Sequence, residues 1–331
     1  MKLAFIGMGN MAYAILKGGC DRGFFNPADL IAYDINTARL EEVAAETGLT
    51  PAASAAEAAR QADMVMLAVK PNVIESVVAD MGDALCGKAV LSIASGWPTA
   101  KLLTVLPESA RALFVLPNTT CMVGEGIAIA EEGSTFTQEE QDYARDLFSA
   151  IGRYLVVSQK IMNGTSTLTG CGPAFLYVIA EGLADGGVYY GVPRQMAYEL
   201  VAQMMIGAGT MMLETKMHPG QLKDNICSPG GTTIRGVRAL EDAGVRSAMI
   251  DAVDAASANA YPIFQRTENP TAPSGQPGFS LPHRPNKKAG FSTKDRSNCG
   301  KPGYAEPPGA PHRNTGGFFC LRGKSRGYFS S

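Results

Sequence analysis

Two short stretches carry the residue types and spacing from which chemistry could be built. The first is Asn225-Ile-Cys-Ser-Pro-Gly-Gly-Thr-Thr-Ile-Arg-Gly236. Pro229 fixes one backbone angle and has no N–H, so it stops a preceding helix. Gly230 and Gly231 lack a Cβ and let the chain turn tightly beside a ligand. Thr232 and Thr233 then open a helix whose first amides have no partner within it. Free amides, two glycines and hydroxyls at a helix start suit an anion. The same residues also suit an ordinary helix-loop-helix turn.

The second stretch is Gly7-Met8-Gly9-Asn10-Met11-Ala12, a G-x-G-x-x-A pattern. It follows an apolar run, Lys2 to Ile6, and precedes a helical stretch, Ala12 to Gly19. In that context Gly7 permits the tight turn, Gly9 lets backbone approach a pyrophosphate, and Ala12 allows close helix–strand packing. The next strand, Leu30 to Tyr33, ends in Asp34, whose carboxylate could hold ribose hydroxyls. This is the arrangement of a dinucleotide site; the alternative is a glycine-rich loop with no ligand.

The elements that must position these residues alternate between strand and helix, which indicates a parallel sheet. Helices are expected at 37–47, 73–81, 99–105 and 138–151. Strands are expected at 64–69, 89–94 and 111–116, with closing strands at 127–130 and 154–157. Ligands of such sheets lie beyond the carboxyl ends of the strands. Three strand ends therefore converge on one crevice: Ala68-Val69-Lys70-Pro71, Ala94-Ser95-Gly96, and Leu116-Pro117-Asn118. Each could equally be loop punctuation.

From Ile161 long helical runs replace the strands. One helix or two abutting ones cover 165–191, with Pro193 opening the next, to about Lys216. A short helix over 219–225 leads into the Ser228 loop, and helices over 234–261 break near Gly244. Gly182, Gly186, Gly187, Gly207 and Gly209 recur within these runs. A glycine costs about 1 kcal/mol in a helix interior, so their number points to closely packed backbones, within a domain or between subunits. The expected domains are 1–160, 161–263 and a tail, 264–331. Ten of the twenty prolines lie beyond Tyr261, and the tail reads as disordered.

Composition excludes several classes. Net charge is −2, which suits no polyanionic partner. From Gln265 onward eleven Lys or Arg stand against three Asp or Glu, so the tail is basic and the body acidic. A basic nucleic-acid-binding tail is one reading of this; readthrough or a shifted reading frame is another. No targeting core is expected at the N-terminus, and no run approaches the roughly 18 apolar residues of a membrane span. Seven scattered cysteines without a CxxC suit reduced thiols in a cytoplasm. His218 is the sole histidine outside the tail, which argues against a zinc site or a Ser-His triad.

From Met1 to about Tyr261 the chain resembles pyrroline-5-carboxylate reductase, the last enzyme of proline biosynthesis. The resemblance rests on Phe5-Ile-Gly-Met-Gly-Asn-Met-Ala12, Ala68-Val-Lys-Pro71, Leu116-Pro-Asn118, Leu168-Thr-Gly-Cys-Gly-Pro-Ala174, His218-Pro-Gly-Gln-Leu-Lys-Asp-Asn225 and Ser228-Pro-Gly-Gly-Thr-Thr-Ile234. The last is highly specific, whereas the first is shared by many dehydrogenases. It implies a Rossmann domain followed by an all-α dimerisation domain, a homodimer, and in many members a decamer of five dimers. It implies NADPH or NADH at Gly7 to Ala12, Asp34, Ala68 to Pro71, Ala94, Ser95 and Asn118. It further implies that Ser228 and the amides of Gly230, Gly231 and Thr232 hold the substrate carboxylate, with the Thr233 hydroxyl on the ring nitrogen. Two features depart from the pattern. Cys171 stands where serine is common, and Asp34 would repel the 2′-phosphate of NADPH, although Arg39, nearby in the sequence, could compensate. A β-hydroxyacid dehydrogenase shares the domain plan, but relatives of that type carry a lysine on the first helix of the second domain. No lysine lies between Thr165 and Gly191. A dinucleotide-binding scaffold without turnover is the other alternative.

Overall fold

The computed structural model describes residues 1–260. The expectations for the tail, and the end of the helical domain at residue 263, lie outside the described residues. The first half runs β1 (Leu3–Ile6), α1 (Asn10–Asp21), β2 (Leu30–Tyr33), α2 (Thr37–Thr47), β3 (Thr50–Pro51), α3 (Ala55–Gln61) and β4 (Met64–Leu67). It continues α4 (Ile74–Met81), β5 (Ala89–Ser92), α5 (Thr99–Leu103), β6 (Arg111–Leu116), β7 (Gly126–Glu131), α6 (Gln138–Ala150) and β8 (Gly152–Val157).

These strands form one sheet in the order β3-β2-β1-β4-β5-β6-β7-β8. β1 lies at its centre, with Leu3 opposite Leu30 on one side and Met64 on the other. Alternation along β1 splits the core between two faces. Leu3 and Phe5 pack with Ile15 and Leu16 of α1, Leu40 and Val43 of α2, and Leu147 and Phe148 of α6. Ala4 and Ile6 pack with Ala58 and Ala59 of α3, Ile74 and Val78 of α4, and Leu102 of α5. Both faces are covered, so the central strands read as continuous apolar runs.

The expectation of a parallel sheet needs one correction. β6 and β7 pair antiparallel, with Val115 opposite Ala130, while β7 and β8 are parallel to each other. The β6–β7 connection is short and holds only a 3-10 turn, Thr119–Val123. It has no crossover helix of the kind a parallel return needs. β3 and α3 were not expected from the sequence. β3 is a two-residue edge strand ending in Pro51, and α3 starts where Ser54 accepts a hydrogen bond from the Glu57 amide at 3.1 Å.

The second half is helical: α7 (Gln159–Tyr189), α8 (Arg194–Thr215), α9 (Pro219–Ile226), α10 (Thr232–Asp242) and α11 (Val245–Ala260). α7 is a single helix of 31 residues that passes through Pro173. It packs on α8 and α11, and touches β7 of the sheet. Few side chains are buried here: Met162, Thr167 and Ala184 of α7 and Ala197 of α8. Leu176, Tyr177, Val178 and Leu183 of α7, and Met204, Ile206 and Leu213 of α8, are exposed. Contrary to the sequence count, α7 is long and apolar enough, by length and composition, to cross a bilayer. Serines, threonines and glycines interrupt its apolar run and hid it from that count. An apolar surface of this extent marks an interaction face.

Candidate active site

The glycine-rich turn is built by the end of β1. Gly7 has a φ of +95°, and a Cβ there would lie 2.8 Å from the Ala68 carbonyl oxygen. Only glycine serves both demands. The Gly7 amide donates to the Tyr33 carbonyl at 2.8 Å, and the Ala68 amide to the Ile6 carbonyl at 2.9 Å. Thus the ends of β1, β2 and β4 are tied into one rim. Asp34 completes it. Its Oδ2 accepts from the Met8 amide at 2.5 Å and its Oδ1 from the Asn36 amide at 2.7 Å.

With Gly7 and Met8 engaged, the amides of Gly9, Asn10, Met11 and Ala12 have no partner among the described residues. Gly9 is the N-cap of α1 without a side-chain cap, and a Cβ there would meet nothing within 4 Å. Open space in front of uncapped amides at the positive end of a twelve-residue helix fits a pyrophosphate. The first turn of α1 carries no acidic residue to oppose it. Beyond these two amides, Asp34 keeps about two of its four acceptor positions. The Arg39 guanidinium lies 4.6 Å over the Tyr13 ring and 3.3 Å from Glu42.

The ends of β4 and β5 form the other half of the crevice. Lys70 caps a 3-10 turn, Pro71–Val73. The Ile93 amide donates to Leu67, and the Ala94 amide to the Ser92 hydroxyl. Pro71, Asn72, Glu75, Ser95, Trp97 and Lys101 line a cleft of ≈ 480 Å³. Trp97 was not singled out in the sequence. Its indole N–H donates to the Pro71 carbonyl at 2.8 Å and Lys101 lies 3.9 Å over its ring, which clamps the two strand-end loops together. Glu131 was also missed. Buried at the end of β7, it accepts from the Thr99 amide at 2.7 Å and anchors α5.

Asn118 stands beyond β6 as expected, but it is buried and its polar atoms are engaged. Its Nδ2 donates to the Thr169 carbonyl of α7 at 3.1 Å, and its Oδ1 accepts from Ile127 N–H at 3.0 Å and the Thr120 hydroxyl at 2.8 Å.

The Ser228–Thr233 loop is exposed between α9 and α10. Gly230 adopts a φ of +70° and the Gly231 amide donates to the Ser228 carbonyl at 3.0 Å, closing a tight turn. That corrects one expectation, because the Gly231 amide is occupied by the turn. The amides of Gly230, Thr232, Thr233 and Ile234 have no partner among the described residues. A Cβ on Gly231 would come 2.4 Å from the Ser228 hydroxyl. His218 is the N-cap of α9, its Nδ1 accepting from the Gly220 amide at 3.1 Å, a structural task. The structure therefore brings together the Gly7–Ala12 turn, Asp34 and the strand ends at Ala68 and Ala94. No hydrogen bond joins the Ser228 loop to a strand end among the described residues. No cluster of metal-ligating side chains is found among the described residues.

Comparison with known proteins accounts for both halves. Residues 159–262 match the family described as pyrroline-5-carboxylate reductase dimerisation, and residues 2–96 match NADP oxidoreductase, coenzyme F420-dependent. The pyrroline-5-carboxylate reductase of Methanosarcina acetivorans is 38% identical over 257 residues, 77% of this chain and 95% of its own length. The Escherichia coli enzyme of that name is 34% identical over 253 residues, 76% of this chain and 94% of its own. A Plasmodium falciparum pyrroline carboxylate reductase solved with NADP bound superposes with a TM-score of 0.71, at 32% identity, covering 78% of this chain and 97% of that one. A dimerisation match over the helical half agrees with apolar helix faces that one subunit leaves uncovered, and the protein is an oligomer. On the strength of these matches, which span nearly the whole length of those relatives, the chain belongs to the pyrroline-5-carboxylate reductase family.

Proposed function

We infer that this chain reduces Δ1-pyrroline-5-carboxylate to L-proline with NAD(P)H, the last step of proline biosynthesis. The observation that carries the reading is the Ser228–Thr233 loop, a turn that opens unpartnered amides and two hydroxyls at the start of α10. It suits an anion with a polar group one short ring away. The nicotinamide, when bound, supplies the hydride. Gly9 to Ala12 receive the pyrophosphate, Asp34 the ribose, and the strand ends at Ala68–Pro71, Ala94 and Ser95 flank the nicotinamide half.

Ser228, with the Gly230 and Thr232 amides, holds the substrate carboxylate. The Thr233 hydroxyl hydrogen-bonds the ring nitrogen and so aims C5 at the cofactor. As C5 gains hydride, the C=N electron pair passes to nitrogen, which becomes a secondary amine. A protonated imine needs no strong acid from the protein, which suits a site whose nearest histidine is a helix cap. A second copy supplies the loop to the crevice, in a homodimer or a decamer of five dimers, a reading supported by the dimerisation match and by the lack of any hydrogen bond from the loop to a strand end among the described residues. Residues 1–160 act as the nucleotide domain and the helices from 161 as the dimerisation and substrate domain. Five unpaired thiols among the described residues suit a cytoplasmic setting. Incubation with pyrroline-5-carboxylate and NADH or NADPH in parallel tests the reading. Proline formation supports it, and nucleotide binding without any proline would favour a scaffold.

A further inference from the structure

Asn118 spends its side-chain amide on protein partners. It lies two residues beyond β6, and its Nδ2 reaches the Thr169 carbonyl on α7 at 3.1 Å. Thr169 precedes Pro173 by four residues. In an uninterrupted helix the carbonyl of residue 169 accepts the N–H of residue 173. Proline has none, yet α7 runs unbroken from Gln159 to Tyr189. The orientation of the Asn118 amide is set independently, because its oxygen accepts from the Ile127 amide and the Thr120 hydroxyl. The nitrogen must therefore be the end that faces α7.

We propose that Asn118 is a positioning residue that supplies the hydrogen-bond donor Pro173 lacks, and so pins α7 at its proline to the strand-end crevice. Oδ1 holds the start of β7 while Nδ2 holds the helix, so one side chain joins the sheet to the helical half. The pin lies at the turns carrying Gly170, Cys171, Gly172 and Ala174, and sets how far those turns stand from the cofactor crevice. Asn118 acts on turnover through α7, not through the nucleotide.

The catalytic readout rests on the proposed imine reduction; a second readout does not. Asn118→Asp keeps the acceptor for Ile127 and Thr120, loses the donor, and sets a carboxylate against the Thr169 carbonyl. Expected are a fall in kcat of about tenfold or more, as misplacement near a reacting centre gives, and nucleotide Kd unchanged within about twofold. Pro173→Ala returns an N–H to the Thr169 carbonyl, so Asn118→Asp should cost several-fold less in that background, the signature of a coupled pair. Amide hydrogen exchange in the α7 turns flanking Pro173, measured without substrate, should speed up in Asn118→Asp and recover in the double variant. If Asn118→Asp does not fold alone, recovery of folding with Pro173→Ala supports the pin and its absence overturns it. Equal losses with and without Pro173, or a loss of nucleotide affinity with kcat intact, would also overturn it. An absence of imine reduction in the unmodified protein would remove the functional reading, while the exchange measurement would still decide the pin.

Discussion

The Met8 amide donates to Asp34 Oδ2 at 2.5 Å, so the acidic residue at the end of β2, proposed to receive the ribose, also holds the glycine-rich turn. A hydrogen bond to a charged acceptor contributes about 1.5–3 kcal/mol. Asp34→Ser should therefore weaken NADH by about tenfold or more, roughly 1.4 kcal/mol per decade. NADPH should lose less, because the repulsion of its 2′-phosphate goes with the carboxylate. Titration of both nucleotides checks this. An unchanged ratio of the two affinities would mean that Asp34 serves the turn alone.

Thr233 is exposed at the first turn of α10. Thr233→Ala should lower kcat about tenfold, equivalent to one hydrogen bond of about 1.4 kcal/mol in the transition state, and leave nucleotide Kd unchanged. Steady-state kinetics beside nucleotide titration separates the two. Full turnover in the variant would remove the hydroxyl from the reaction.

The exposed faces of α7 and α8 predict an association state. Leu176→Arg with Met204→Arg should give a smaller species by sedimentation and abolish turnover, because the proposed site takes its Ser228 loop from a second copy. A monomeric variant that retains full activity would contradict the cross-subunit arrangement.

Glu140 joins two elements. Its carboxylate pairs with Arg111 at 2.6 Å and accepts the Thr137 amide in the capping box of α6. Burial pushes this carboxyl up, but the Arg111 and Thr137 hydrogen bonds outweigh it and hold it below the usual range. A depressed folded pKa gives stability that is present above the unfolded value, about 4.3, and lost as pH falls through the folded one. Glu140→Gln should cost about 2 kcal/mol at neutral pH, from the charged hydrogen bonds with Arg111, since Gln also completes a capping box. The gap to the unmodified protein should close in acid. Thermal melts from neutral to acid pH check it; a gap independent of pH would contradict the pairing.

Burial pushes the Cys121 thiol up to about 11. At pH 8 its thiolate fraction is then about one in a thousand, and the thiolate is the reactive form. Exposed Cys86 should alkylate far sooner under native conditions, which peptide mass mapping would show. Equal rates would mean that the contact between α1 and the 3-10 turn at Cys121 opens readily.

Much of this was legible in the sequence because local signals agreed. The strand–Gly7–Gly9–helix order and Asp34 after β2 gave the turn, and apolar runs gave the central strands. β3 escaped because two residues carry no periodicity, and α3 because its small alanines give a weak apolar signal. The antiparallel β7 followed from a short connection whose significance appears only beside the pairing. Asn118 was legible as a strand-end residue, but not its partner. Only the fold sets it beside Thr169, four residues before the proline that leaves that carbonyl free.

The central claim is hydride transfer to the cyclic imine, and one measurement meets it directly. The protein is incubated with pyrroline-5-carboxylate and a nicotinamide cofactor deuterated at the transferring position, and the proline formed is analysed by mass and NMR. The account predicts L-proline carrying one deuterium at C5, at a rate that Thr233→Ala lowers. Oxidation of the cofactor without labelled proline, or no oxidation at all, would contradict it.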